Sequence, residues 1–287
     1  MIPPSDQYVE TLDPGRIREL MSAGSLQQLS QITILAETDS SNSALKRLPV
    51  EQQHAHALLA DSQTSGRGRR QRNWYSPPGC NVYLSLGWRF DHSQGRLSTL
   101  PLMIAVCICR ALSHTGLTAY GIKWPNDILA GGAKLAGILV EVQAVGGGIA
   151  HAVIGVGVNV FMPAAGAIGR QAGSVIDRPW TDIASQLRGG VSDLSRNGVA
   201  AFLLEDLVHG IAAFEVAGFQ PFEREWRELD LLEGRQVSIQ NNAVSTTGIA
   251  RGIDADGGLV LEIGNPGGKL RWQVFHAGEL TAPLICS

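Results

Sequence analysis

One stretch limits the architecture more than any other. Ala150–Val160 is almost continuously apolar and reads as a buried strand, with Gly155 and Gly157 inside it. A strand of that kind needs partners, and the chain offers several. Ile32–Ala36, Ala57–Ala60 and Val82–Trp88 read as strands. Ile122–Leu129 reads as a strand with a bend set by Pro125, and Lys134–Gln143 resumes an extended apolar pattern up to the break at Gly146-Gly147-Gly148. Leu97–Leu112 looks like a buried helix with Pro101 near its start. Val199–Phe222 is helical in its spacing of Phe202, Leu203, Leu207, Ile211 and Phe214, and Glu223–Leu229 extends or follows it. A short helix is possible near Arg16–Met21, and Asp39 or Ser40 is placed to N-cap another through Ala44-Leu45-Lys46.

From about Leu232 the texture changes. Short β segments alternate with glycine turns at Gln236–Gln240, Thr247–Ile253, Gly258–Ile263 and Lys269–Phe275, which reads as a small barrel-like β unit of about five strands. The expected division is therefore 1–231 and 232–287. Residues 1–30 form a polar extension too short to have its own core.

Composition removes several classes. With 44% hydrophobic residues and a net charge of −3, the chain is not disordered. The longest apolar run, near Leu102–Cys109, is far short of the roughly 20 residues that cross a bilayer. Met1–Asp6 lacks a basic segment followed by an apolar one, so no signal peptide is expected. Four cysteines suit the cytoplasm. Cys107 and Cys109 read as core residues, while Cys80 and Cys286 show no pattern. No Cys/His cluster has zinc spacing, and His54 and His56 read as surface or edge residues. Glycine is in excess, 34 of 287, while charged residues are only 17% of the chain.

Four segments carry candidate chemistry. Gly66-Arg67-Gly68-Arg69-Arg70-Gln71-Arg72-Asn73-Trp74 sets four arginines in six positions of a net acidic chain, either as a loop closing on a phosphate-bearing ligand or as a solvated basic loop. It is not a Walker A loop. Lys123-Trp124-Pro125-Asn126-Asp127 puts a lysine before a proline bend and an aspartate after it, suited to a site or simply to a turn. Lys134 opens an apolar strand and must be solvated or paired with an anion. Gly155-Val156-Gly157-Val158-Asn159 marks close approach of a ligand, or helix–sheet contact.

Taken together, these residues resemble one family. Ser40-Ser41-Asn42, Gln63 with Gly66–Arg70, Lys123–Asp127, Lys134-Leu135-Ala136-Gly137-Ile138-Leu139-Val140-Glu141 and Gly155–Asn159 occur in the order found in biotin protein ligases, which biotinylate the carrier subunit of acetyl-CoA carboxylase. Gly248–Asp254 followed by Gly257–Glu262 is similar to that family's small β domain. The resemblance implies an α+β fold of the class II synthetase-like biotin/lipoate ligase type. A mixed, largely antiparallel sheet would be flanked by helices and followed by an SH3-like β-barrel. It also implies two steps: biotin and ATP form biotinyl-5′-AMP, with Mg²⁺ on the phosphates, and the acyl group then passes to a lysine of the biotin carboxyl carrier protein.

Residue by residue, the resemblance puts Ser40, Ser41, Asn42 and Gln63 at biotin, and Arg67, Gly68 and Arg69 in a loop that orders over biotin and the adenylate. Lys134 is implied at the reacting carboxylate and α-phosphate, with Lys123 a second candidate there. Asn126 and Asp127 would position ATP and then the incoming lysine. Arg70, Trp74, Asn159 and Gly155 would border the nucleotide, Trp180 would cover the adenine, and Arg251 is a weaker candidate for closing over it. Two departures stand out: Ser41 where many relatives have threonine, and Gln71 where the loop usually has a third glycine. Some members of the family also repress transcription through an added helix-turn-helix. That is not expected here, because only about 30 residues precede the first core strand and the chain is acidic. A lipoate or octanoate ligase or transferase is the alternative within the fold. A monomer and a homodimer are both open.

Overall fold

A computed structural model describes residues 10–91, 96–163, 179–187, 190, 193–241, 244–264 and 270–281. The Met1–Asp6 segment and Cys286 lie outside the described residues. Seven strands, β1 (Gln31–Thr38), β2 (His56–Gln63), β3 (Val82–Phe90), β4 (Gly121–Lys123), β5 (Asp127–Ala130), β6 (Ala133–Gly146) and β7 (Ile149–Val158), form one sheet in the order β1-β2-β3-β7-β6-β5-β4. Only β1 and β2 run parallel; the remaining neighbours are antiparallel. The expected mixed, largely antiparallel sheet is the one found, and the apolar Ala150–Val160 segment supplies its central strand.

The two faces differ. Leu84, Leu86, Ile138, Ile154 and Val156 project from β3, β6 and β7 into the main apolar core. Two long helices cover that face: α4 (Leu100–Ser113) and α6 (Arg196–Ala217), which lie against each other. The shorter helices are α1 (Pro14–Leu20), α2 (Ala23–Gln28), α3 (Ser41–Lys46), α5 (Ile183–Gln186) and α7 (Glu223–Leu229). On the opposite face α3 uses Ala44 and Leu45 to cover Leu58 and Val153. That second cluster is small and leaves the rest of the face open. Cys107 and Cys109 are buried on α4, where burial pushes both thiols up.

Three readings change. Residues from Glu10 onward are part of the main core: Leu12, Ile17 and Met21 are buried in it, and the Glu10 carboxylate accepts from Ser195, Asn197 and the Arg196 N–H at the start of α6. Its apolar side chains Leu12, Ile17 and Met21 become core only through contact with the rest of the chain. The helix expected through Phe222 ends instead at Gly218, whose φ of 65° and N–H bond to the Phe214 carbonyl close it before α7 begins. His56 is buried, held between the Thr33 hydroxyl at 2.9 Å and the Gln52 carbonyl at 3.0 Å.

The second sheet is antiparallel, with strands β8 (Gln236–Asn241), β9 (Val244–Ile253), β10 (Leu259–Gly264), β11 (Leu270–Phe275) and β12 (Glu279–Thr281) in the order β11-β10-β9-β8-β12. It touches the first through Trp124, whose Nε1 donates to the Gly257 carbonyl at 2.9 Å. At the junction Asp230 bridges to Ile122, and its Oδ1 accepts the Leu232 N–H at 2.9 Å while Oδ2 is buried without a partner among the described residues. Burial pushes this carboxyl up to about 6, with Glu233 adding to the rise.

A raised carboxylate pKa makes the folded state hold a proton that the unfolded chain releases. The associated stability is therefore complete below pH 4 and lost as pH rises through 6. Asp230→Asn keeps the acceptor for Leu232 and removes the buried charge. We expect it to stabilise the protein by at most about 3 kcal/mol at pH 8, the equivalent of roughly two pKa units. The gain should fade as pH drops to 4. Thermal unfolding at pH 8, 6 and 4.5 checks this; a gain that does not change with pH would contradict it.

Candidate active site

The site begins with strand register. In the antiparallel rows Tyr83 lies beside Gly157, Gly157 beside Gly137, and Gly137 beside Asp127. One row along, Ser85 lies beside Gly155 and Gly155 beside Leu139. These residues share the face that α3 leaves open. The glycines leave bare backbone for other groups to approach. A Cβ on Gly157 would stand 2.6 Å from the Trp74 indole and one on Gly137 2.8 Å from it, and a Cβ on Gly155 would collide with Asn42 Oδ1.

Two adjoining cavities open on this face. The smaller, about 50 Å³, is lined by Ser40, Ser41, Asn42, Gln63, Arg67 and Gly155 among others. Its polar groups are mutually bonded. Gln63 Oε1 accepts the Ser41 N–H at 2.8 Å while Nε2 donates to Ser76 Oγ at 2.8 Å. Asn42 Nδ2 donates to Glu141 Oε2 at 3.0 Å, and the same carboxylate takes Arg67 Nη2 at 2.9 Å and Lys46 Nζ at 3.1 Å. Ser40 occupies the N-cap position of α3 without a side-chain cap bond and lines this cavity. Asp39 pairs with Arg47, whose hydrogen bonds hold the carboxyl well below its usual range.

The larger cavity, about 150 Å³, runs from the first sheet to the second. It is bounded by Arg70, Lys123, Asp127, Asn159, Trp180 and Glu279 among others. Gly68, Arg69, Trp74, Asn126 and Lys134 line both cavities and form the wall between them. Lys134 resolves the choice posed by its sequence: Nζ lies 2.7 Å from Asp127 Oδ1 and 5.1 Å from the Trp74 ring centroid. Arg69 donates to Asn126 Oδ1 at 3.1 Å, and Asn126 Nδ2 donates to the Ile138 carbonyl at 2.9 Å. Burial, together with the adjacent Arg70 charge, lowers the Arg69 pKa. The Trp74 Nε1 is buried without a hydrogen-bond partner among the described residues.

The arginine loop is a narrow reversal, with Arg67 bridged to Asn73 and Gln63 to Ser76. At its tip Arg70 and Gln71 hold φ of 55° and 60°. Left-handed backbone favours glycine, so Gln71 sits in a conformation that costs about 1 kcal/mol relative to glycine. Arg70 and Arg72 both reach Glu279 on β12.

The structure brings Ser40, Ser41, Asn42, Gln63, Arg67, Gly68, Arg69, Lys134, Asn126, Asp127, Lys123, Arg70, Trp74, Asn159 and Trp180 to these two cavities. Two expectations about placement change. Gly155, grouped in sequence with the nucleotide residues, lies under Asn42 in the smaller cavity, because its side of the strand points there. Arg251 pairs with Glu262 at 3.0 Å inside the small sheet and lines neither cavity; Glu279 is the charged residue that this sheet contributes. Ser85 and Glu279 were not singled out, and Glu141 entered only as part of a motif. Ser85 did carry a signal, a serine within an otherwise apolar and aromatic stretch of strand.

Residues 35–159 match the Biotin/lipoate A/B protein ligase family and residues 234–279 the Biotin protein ligase C terminal domain. The chain is 35% identical over 251 residues to the bifunctional ligase/repressor BirA of Escherichia coli, covering 87% of this chain and 75% of that protein. It is 32% identical over 283 residues to the biotin--[acetyl-CoA-carboxylase] ligase of Mycobacterium tuberculosis, covering 96% and 97%. A solved structure of the Aquifex aeolicus biotin protein ligase in complex with biotin and ATP aligns with a TM-score of 0.70 at 25% identity, over 88% of this chain and 98% of that one. Matched nearly end to end by one such ligase, and over both of its sheets by the two domain families, the chain belongs to the biotin protein ligase family.

Proposed function

We propose that this protein is an ATP-dependent biotin protein ligase that forms biotinyl-5′-AMP and passes the biotinyl group to a lysine of the biotin carboxyl carrier protein of acetyl-CoA carboxylase. The observation that carries the reading is the shared wall of the two cavities, with Lys134 and Arg69 between a small, hydrogen-bonding pocket and a larger one reaching the second sheet. Biotin's ring enters the small pocket, ATP the large one, and the reacting carboxylate meets the α-phosphate at the wall. There a carboxylate oxygen attacks phosphorus and the bond to the β-phosphate breaks, releasing pyrophosphate. Both partners are anions, so the barrier falls where fixed positive charge already faces them.

Lys134 is suited to that charge, and Asp127 holds its Nζ in place until the anions arrive. Lys123, Arg69 and Arg70 add positive charge along the larger cavity, while Asn126, Asn159 and Trp180 give the nucleotide its walls. Among the described residues no group of three or more His, Cys, Asp or Glu side chains converges to hold a metal. Mg²⁺ is proposed to accompany ATP, where it would offset the phosphate charge. In the second step the carrier lysine's neutral amine attacks the acyl carbon, the amide forms, and AMP leaves. The acyl-adenylate must be kept from water in the meantime, which is the work proposed for the Arg67–Arg72 loop. Among the described residues no helix is long and apolar enough to cross a membrane, and the proposed place of action is the cytoplasm. DNA binding is not part of the proposal.

Pyrophosphate exchange measured with biotin against lipoate, followed by label transfer to a biotin carrier domain, tests the reading. Exchange with biotin and transfer to the carrier are expected; exchange with lipoate alone would overturn it. Lys134→Ala should lower exchange by about 10²–10³-fold while biotin still binds. Unchanged exchange would remove Lys134 from the reacting centre. Arg69→Ala, and separately Arg67→Gly, should give folded protein that releases biotinyl-AMP into solution, detected by carrier-independent labelling of bystander lysines. Retention equal to that of the unaltered protein would show that the loop does not seal the intermediate.

A further inference from the structure

Ser85 and Glu141 lie outside the roles assigned above, yet both touch Asn42. Ser85 is fully buried in β3, and its Oγ donates to Asn42 Oδ1 at 2.6 Å and lies 2.8 Å from Ser41 Oγ. On its other side the Asn42 amide faces two groups that only accept: the Leu139 carbonyl at 3.3 Å and the Glu141 carboxylate at 3.0 Å. Burial raises the Glu141 pKa, but hydrogen bonds from Asn42 and Lys46 and the Arg67 charge outweigh this and hold it below its usual value. The carboxylate is therefore ionised at neutral pH and has no proton to give.

This chemistry fixes the amide. The NH₂ end must face Leu139 and Glu141, because a carbonyl oxygen turned toward them would put acceptor against acceptor. The oxygen end must then face Ser85, which has one proton. Asn42 Oδ1 can only accept, whereas Ser41 brings its own proton, so Ser85 gives its proton to Asn42. Ser41 Oγ and Asn42 Oδ1 thus meet at one hydroxyl, each keeping a lone pair that this contact does not use, on two residues that line the smaller cavity. A ring that carries two N–H donors is matched by such a wall; a ring without them leaves its acceptors unpaired.

We propose that Ser85 and Glu141 are positioning residues that lock the orientation of Asn42, and thereby set the preference of the smaller cavity for a cyclic urea over acyl groups that lack urea N–H donors. The proposal rests on the biotin ligase reading and names what selects the ring. Because Glu141 holds Asn42 and Arg67 through the same Oε2 atom, the ring pocket and the arginine loop also share one anchor.

The test compares the full chain with Ser85→Ala, Asn42→Ala, the double variant and Glu141→Gln. It uses exchange kinetics with biotin, desthiobiotin (which keeps the urea) and octanoate, with unfolding curves to verify that each variant folds. Ser85→Ala should raise KM for biotin and desthiobiotin about tenfold, the worth of one buried hydrogen bond. KM for ATP and kcat should stay within about twofold, and preference over octanoate should fall by the same factor. In the Asn42→Ala background, Ser85→Ala should have a much smaller further effect, since Asn42 Oδ1 is gone and only the contact with Ser41 Oγ remains. Glu141→Gln, which keeps an acceptor for Asn42 but lacks the charge for Arg67, should raise KM for biotin less than Ser85→Ala and release more adenylate. A biotin KM unchanged in Ser85→Ala, or effects of Ser85→Ala and Asn42→Ala that simply add, would overturn the proposal while leaving the ligase reading intact. Failure of the unaltered chain to exchange with biotin would overturn both.

Discussion

Everything at the candidate site depends on how the central strands align. Tyr83, Gly157, Gly137 and Asp127 stand in one row and Ser85, Gly155 and Leu139 in the next. Because side chains alternate across a strand, a slip of one residue would turn these glycines inward and bring Val156, Ile138 and Leu84 outward. That alternative is excluded by burial: the same three apolar residues are buried in the core beneath α4 and α6. Core formation on one face thus determines that bare backbone appears on the other. Trp74, Asn42 and the neck between the cavities all use that bare backbone.

A second constraint is electrostatic. The loop and the two lysine segments gather cations, which repel one another unless something holds them. Each carboxylate at the site answers this: Asp127 holds Lys134, Glu141 holds Arg67 and Lys46, and Glu279 receives Arg70 and Arg72. Most of these pairs are partly exposed, so each contributes little to stability. Their effect is on geometry. They keep long side chains in place before an anion arrives, which lowers the reorganisation needed to meet it.

Local sequence made half of this legible. Ser40-Ser41-Asn42, the arginine loop and Lys123–Asp127 each place several functional groups within a few residues, so motif reading finds them. The residues it misses act across long separations. Ser85 meets partners 43 and 44 positions away, and Arg72 meets Glu279 across 207. No local pattern encodes such contacts. Gly155 shows a subtler limit: the motif placed it near the site, but which cavity it floors depends on strand direction, which the motif does not state. Arg251 shows the reverse, a charge in a suggestive position that its own sheet satisfies through Glu262. At the amino-terminal end, Ile17 and Glu10 look unremarkable until α6 lies beside them.

The placement of Glu279 gives the second sheet a part beyond packing. Two arginines at the tip of the loop reach one carboxylate on β12, while Trp124, beside the Lys123 wall, hydrogen-bonds to Gly257 in the same sheet. The larger cavity is therefore bounded by the small sheet on one side and by the loop that the small sheet grips on the other. On the proposed reading an acyl-adenylate in that space is shielded only while both contacts hold. The strained tip at Arg70 and Gln71 works against them, because relaxing either φ releases the left-handed turn. On that reading the loop is balanced between two arginine–carboxylate contacts, which weaken with salt, and backbone strain at its tip. If the loop admits two substrates and later a carrier lysine, as proposed, it needs a balance of that kind, since a contact strong enough to remain shut would also exclude the acceptor.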